Sequence, residues 1–158
     1  MDAKTRLKFE FKIDEIKKTK HFENDFREYG LNQQDIKNGK INLNIGLGFD
    51  QKKELVFFNI KVNCFSMDGK HLLFGIETLF KYKIVDLNKL YRSEETKSYQ
   101  IPDHFMNTLL GAAISGTRGM LAALNTTPEY QKIFLPMIQA DQLIKDLKNQ
   151  NQGKAGKQ

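Results

Sequence analysis

The sequence predicts an α+β fold: a four-stranded antiparallel sheet, made of a meander plus an N-terminal strand, with a long helix and a shorter C-terminal helix packed on one face. Two observations predict this fold. Four stretches alternate apolar and polar residues, which is typical of half-buried strands. Two later stretches place apolar residues three and four positions apart, which is typical of helices that pack along one side.

The four strand-like stretches lie at residues 5–16, 41–49, 55–65 and 72–82. Asp68-Gly69 separates the last two, and this dipeptide is a strong hairpin signal. The polar segment between the first two stretches, residues 18–38, loses the alternation. We therefore expect it to be a connection, with a short helical turn near residues 32–37.

Prolines mark the start and the end of the long helix. Pro102 is tolerated in a first turn because its missing N–H would have no helical partner there. Thr126-Thr127-Pro128 is expected to end the helix after about Leu124. A short apolar segment at residues 133–138 then leads to a last helix at about 139–149.

The length of 158 residues matches one domain of ordinary size. We expect a single domain over residues 1–148 and a disordered polar tail over 149–158. No apolar run approaches the roughly 20 residues of a membrane span, and Cys64 has no second cysteine to pair with. These features predict a protein of a reducing, cytoplasmic compartment.

The long helix is rich in small residues. Gly111, Ser115 and Gly119 follow one another four positions apart. Each interior glycine costs about 1 kcal/mol relative to alanine, so close packing must offset the loss. The three residues either pack on the sheet of their own chain or form an oligomer interface. The free edge of the sheet is the second candidate for such an interface. Arg118 is expected to pair with a carboxylate or to bind backbone carbonyls.

No arrangement of residues predicts catalysis, metal binding or a cofactor. His21, His71 and His104 are dispersed along the chain, and Cys64 lies on the apolar side of its strand, where cysteine behaves as a small hydrophobic residue. Gly46-Leu47-Gly48 lies inside a strand and lacks the helix that a phosphate-binding loop requires. We expect no enzyme activity, no catalytic residue, no metal site and no cofactor.

The order of the elements and the residues of the long helix resemble the SecB-like export chaperones. The resemblance spans about residues 5–147 and is carried by Ile101–Leu121, Phe134–Ile138 and Leu143–Ile144. That family has a proline near the long helix, an arginine after a small residue within it, a short segment with leucine and proline, and a closing helix.

The resemblance implies a non-catalytic holdase that binds unfolded or nascent polypeptides in apolar grooves during protein export. It also implies a dimer or a homotetramer, and delivery of the bound client to the translocation motor SecA. Some relatives instead protect the antitoxin of a toxin–antitoxin system. The export chaperones bind SecA through an acidic sheet surface, whereas this chain has a net charge of +6, which weakens the expectation of a SecA partner.

Seven apolar residues are the candidate lining of a client-binding groove between the long helix, the segment after it and the sheet. They are Leu43, Ile45, Leu47, Phe49, Phe105, Phe134 and Leu135. The four strand residues alternate with asparagine and glycine rather than with charges. The segment at Phe134 is too short to form a core element of its own. Ordinary core packing is the alternative for each residue.

The positive charge allows an alternative function, nucleic-acid binding on the sheet surface, with bases stacked on Phe57, Tyr82 and Tyr91 among lysines. The lysines alternate with apolar residues and are followed closely by Asp or Glu, which is typical of a solvated strand face. We therefore rank a nucleic-acid partner below an unfolded polypeptide.

Overall fold

The computed structural model describes residues 10–87 and 101–155. It confirms the predicted α+β fold, with one antiparallel sheet in the strand order β1-β4-β3-β2. The strands are β1 (Phe11–Glu23), β2 (Lys40–Asp50), β3 (Leu55–Phe65) and β4 (Leu72–Ile84). The helices are α1 (Gln33–Lys37), α2 (Asp103–Leu124) and α3 (Ala140–Ala155), with single turns at Phe26–Tyr29 and Tyr130–Lys132.

The first strand is longer than predicted. Residues 5–9 lie outside the described residues, and β1 continues to Glu23, into the segment expected to be a connection. The register with β4 shifts between Ile13 and Glu15 and again between Lys18 and Lys20. Each β-bulge inserts one residue and so reverses the alternation of sides. Beyond the first bulge, the residues of β1 therefore no longer alternate between apolar and polar at every second position, and the sequence alone does not show that the strand continues.

The other strands and the helical turn agree with the prediction. β2, β3 and β4 form an antiparallel meander, and β1 pairs with the outer side of β4. The predicted turn near residues 32–37 is α1, which Asn32 caps by accepting hydrogen bonds from the N–H groups of Gln34 and Asp35. Gly69 adopts a left-handed conformation, with φ of 77°, in the hairpin signalled by its dipeptide.

The long helix α2 packs on the two central strands, β3 and β4. A Cβ atom at Gly116 would lie 2.6 Å from Cζ of the buried Phe80 ring, so only glycine lets the helix sit this close. Beside it, the hydroxyl oxygens of Thr117 and Thr78 lie 2.7 Å apart and satisfy one another within the core. The missing side chain of Gly116 and the buried hydrogen bond between Thr117 and Thr78 thus set the distance between α2 and the sheet.

The C-terminal helix α3 lies on the same side of the sheet, over β2. It extends to Ala155, past the predicted helix end near Asn149 and into the stretch expected to be a disordered tail. Residues 156–158 lie outside the described residues. None of the helices in the described ranges combines the length and the apolar character needed to cross a membrane.

The carboxylate of Glu23 fixes the end of α2 to β1. It accepts hydrogen bonds from the backbone N–H groups of Thr126 and Thr127, at the predicted helix break. Burial raises the pKa of Glu23, but the hydrogen bonds from Thr127 and Thr126 and the nearby His21 outweigh this effect. The pKa of Glu23 therefore lies below its ordinary value.

We expect Glu23→Gln to lower the free energy of unfolding at neutral pH by about 1–2 kcal/mol, since the negative charge is lost and an NH2 group replaces one of the two acceptor oxygens. Because the folded-state pKa is depressed, this stabilisation is present above the unfolded-state value and disappears as the pH falls through the folded-state value. Denaturant unfolding from pH 7 to pH 3 should show the two proteins converge in acid. Glu28→Gln, at an exposed site, is the control, and an equal loss there would contradict the role of Glu23.

Candidate client-binding surface

The helix side of β1 is not covered by α2. Phe11, Ile13 and Ile16 pair with helix-side residues of β4, yet they are 42%, 57% and 44% exposed. The Phe11 ring contacts Phe105 of α2, with ring centroids 5.4 Å apart. These three residues, called the β1 strip below, form an apolar surface on an edge strand next to the long helix.

The segment between α2 and α3 forms a second exposed apolar surface. Arg118 of α2 donates hydrogen bonds to the carbonyl oxygens of Leu135 (Nε, 2.9 Å) and Pro136 (Nη2, 2.8 Å). Arginine therefore binds backbone carbonyls, one of its two predicted roles. With Leu135 buried, Phe134 and Met137 point outward and are 64% and 89% exposed.

A shallow hollow of about 190 Å³ separates β2 from α3. It is smaller than the roughly 300–1,000 Å³ of typical small-molecule pockets, so its size suits a side chain rather than a cofactor. Its lining is Leu43, Asn44, Ile45, Leu143, Asp146 and Leu147. Apolar strand residues thus face apolar residues of α3 across this hollow.

The structure brings together only part of the predicted groove. Leu43, Ile45, Leu47 and Phe49 form a half-buried row on the helix side of β2. Phe105 is buried at the other edge of the sheet, against the β1 strip. The segment after α2 contributes Phe134 at its surface. The apolar surface is therefore divided between the two edges of the sheet, with α2 between them.

Sequence reasoning missed the β1 strip. Its alternation of apolar and polar residues predicts a buried side, as in β3. The strip is exposed because the helix lies over β3 and β4, and that placement depends on contacts far apart in the chain. The lysines on both sides of β1 at positions 17 and 18 are the one available hint, since lysine is typical of edge strands.

Two of the three small residues predicted to need a close partner, Gly111 and Gly119, have none in the part of the chain that the structure describes. A Cβ atom at Gly111 or Gly119 would meet no atom within 4 Å, and Ser115 between them is exposed. Gly116, the neighbour of Ser115 in the sequence, is the glycine of α2 that packs against Phe80 of the sheet. The row of Gly111, Ser115 and Gly119, called the small-residue row below, therefore lies on the solvent side of α2.

The thiol-bearing Cys64 and the phenol-bearing Tyr82 are both buried. Burial raises the pKa of the Cys64 thiol to about 12, which keeps it protonated and unreactive. Burial also raises the pKa of Tyr82 to about 12, and its hydroxyl donates to the Leu109 carbonyl, 3.0 Å away. Across residues 10–87 and 101–155, no three His, Cys, Asp or Glu side chains cluster as metal ligands would.

Two of the three aromatic residues named for base stacking lie in the described ranges, and these two are on opposite faces of the sheet. Tyr82 is buried on the helix side of β4. The Phe57 ring lies on the backbone of Gly48, where a Cβ atom would be 2.2 Å from the ring. Tyr91 lies outside the described residues. The stacking interpretation fails for Tyr82, because this side chain is buried and its hydroxyl is bound to Leu109 of α2.

We expect Arg118→Ala to release the segment that follows α2, because two charge-assisted hydrogen bonds to carbonyls are lost. Limited digestion with chymotrypsin should then cut after Phe134 about tenfold faster than in the unchanged protein. Lys132→Ala, which removes a neighbouring exposed cation, is the control. An unchanged cleavage rate would show that packing of Leu135 alone holds the segment.

Comparison with protein-family models and with curated proteins found no match to this chain. The resemblance to SecB-like chaperones therefore stays a prediction, and the geometry described above is what a functional proposal has to rest on.

Proposed function

We propose that this chain is a non-catalytic holdase that binds unfolded or nascent polypeptides on the apolar surfaces of its helix side. The observation that carries the proposal is the exposure of Phe11, Ile13, Ile16, Phe134 and Met137, all beside or just after α2. Exposed apolar patches of this kind mark interaction sites in soluble domains. In the described ranges no group of three metal-ligating side chains lies on these surfaces, and the cation beside Met137, Arg118, is bound to the carbonyls of Leu135 and Pro136.

The β1 strip suits an extended client in a second way. β1 is an edge strand, so one side of its backbone faces outward with N–H and C=O groups that the sheet does not use. An unfolded chain can pair with such an edge through its own backbone, whatever its sequence, and place alternate side chains on the strip. Backbone pairing plus apolar contact gives binding with little sequence preference, which a holdase requires.

The proposal includes self-association into a dimer or a tetramer through the small-residue row of α2. Its support is that Gly111 and Gly119 have no close neighbour among the residues that the structure describes, although glycine weakens a helix at both positions. A second helix can approach the row closely because it carries no bulky side chain. A role in protein export in the cytoplasm remains part of the proposal on the strength of the family resemblance alone.

The holdase proposal predicts suppression of aggregation by the purified protein. Light scattering of a denatured, aggregation-prone client diluted into buffer should fall in its presence, and an Ile13→Asp, Ile16→Asp double variant should lose most of this effect. Because both residues are about half exposed, the double variant should keep its thermal midpoint.

The matched control is Met67→Asp, which places the same charge on a residue that is 48% exposed in the β3–β4 hairpin. It should suppress aggregation like the unchanged protein. Equal loss in the control would indicate a general effect of charge. Failure of the unchanged protein to suppress aggregation would overturn the proposed function.

Self-association is tested separately with Gly119→Leu. Leucine favours the helix by up to about 1 kcal/mol, so the variant should fold at least as stably as the unchanged chain. Its mass by multi-angle light scattering should fall from that of a dimer or tetramer to the 18.3 kDa of one chain. Gln142→Leu on the exposed side of α3 is the control. A monomeric unchanged protein at high micromolar concentration would contradict the interface.

A further inference from the structure

The face of the sheet turned away from α2 and α3, called the open face below, is strongly basic. The register of the strands places seven lysines and three carboxylates on it. The lysines are Lys12, Lys17, Lys20, Lys40, Lys61, Lys81 and Lys83, and the carboxylates are Glu15, Asp50 and Glu77. Much of the positive charge of the chain is therefore collected on one side of the molecule.

Only two of these lysines use a carboxylate of the same face. Lys61 pairs with Glu77 at 2.9 Å, and Lys81 pairs with Glu15. The other five lysines form no ion pair within the described part of the chain. One of them, Lys20, lies over the Phe22 ring at 5.5 Å from its centroid. Lys20 also stands opposite Glu77 in the register, and Asp14 acts on Lys81, yet the open face still carries more lysines than carboxylates.

Two lysines are placed where they repel one another. Lys12 of β1 and Lys83 of β4 are directly opposite in the register, and Lys81 lies two residues from Lys83 on the same side of the strand. Like charges directly opposite in a sheet are destabilising. The free protein therefore has two lysines opposite one another in the sheet, and a negatively charged partner would relieve their repulsion.

We propose that the open face is a docking surface for an acidic polypeptide segment in extended conformation. In a strand, alternate side chains lie on one side about 6.6–6.8 Å apart, which is also the spacing of Lys81 and Lys83. A carboxylate of the partner can therefore meet Lys83, and the next one along the same side reaches Lys81, which in the free protein pairs with Glu15. This inference concerns the side opposite the β1 strip and does not rest on the holdase function.

The composition of the open face favours an acidic polypeptide over a nucleic acid. Its cations are all lysines, whereas arginine is the side chain that grips phosphate with two hydrogen bonds. Of its three strand phenylalanines, Phe22 packs on Gly75 beneath Lys20, Phe57 packs on Gly48, and Phe65 is partly buried opposite Lys40. Single-stranded nucleic acid requires free aromatic faces for its bases.

Fluorescence anisotropy with a labelled peptide of alternating Glu and Ser residues tests the inference on the full chain. At an ionic strength of about 10 mM, where charges act over ~30 Å, the peptide should bind. Lys17→Gln with Lys20→Gln should weaken binding about fivefold. The matched control, Lys18→Gln with Lys37→Gln, removes the same charge from outside the open face and should change binding less than twofold.

Lys12→Gln gives an independent measurement, because it should weaken peptide binding while raising the midpoint of thermal unfolding as the repulsion from Lys83 disappears. Three results would overturn the inference: no binding of the acidic peptide at low ionic strength, equal losses in the two double variants, or tighter binding of oligothymidine of matched length than of the peptide. The last result would identify the open face as a nucleic-acid surface.

Discussion

An α-helix with its side chains is about 10–12 Å wide, whereas four strands spaced about 4.8 Å apart present a face of about 20 Å. One helix can therefore bury only two strands, and α2 lies on β3 and β4 with Gly116 against Phe80. The rest of the structure follows from this mismatch in width. α3 is needed over β2, and β1 keeps its apolar side chains in solvent.

The two sides of the sheet differ in the physical basis of binding that we propose for them. The helix side offers exposed apolar side chains and an unpaired strand edge, so binding there depends on loss of apolar surface from water and changes little with salt. The open face offers lysines in high dielectric, so binding there falls steeply as counterions screen it. The two proposals together imply that one molecule holds two partners at once, and that a change of ionic strength releases the acidic one first.

Much of the fold could be predicted from the sequence, because alternation and proline positions are local signals. β2, β3, β4, α1 and α2 fall where those signals place them. The length of β1 could not be predicted, since bulges after Ile13 and Lys18 break the period. The candidate groove was predicted only in part, since which strand lies under α2 is decided by distant contacts. The glycines of α2 illustrate this limit. Gly116 faces the sheet and Gly119 faces solvent, although the sequence shows only a glycine of the same helix at each position.

The two bulges in β1 have a consequence for the behaviour of the protein at high concentration. A straight edge strand with apolar side chains can add identical copies without end and grow into a fibril. In β1 the pairing pattern is interrupted at two places within 13 residues, so a neighbouring copy cannot extend a regular ladder along the whole strand. The same edge can therefore accept short extended segments while remaining a poor template for polymerisation.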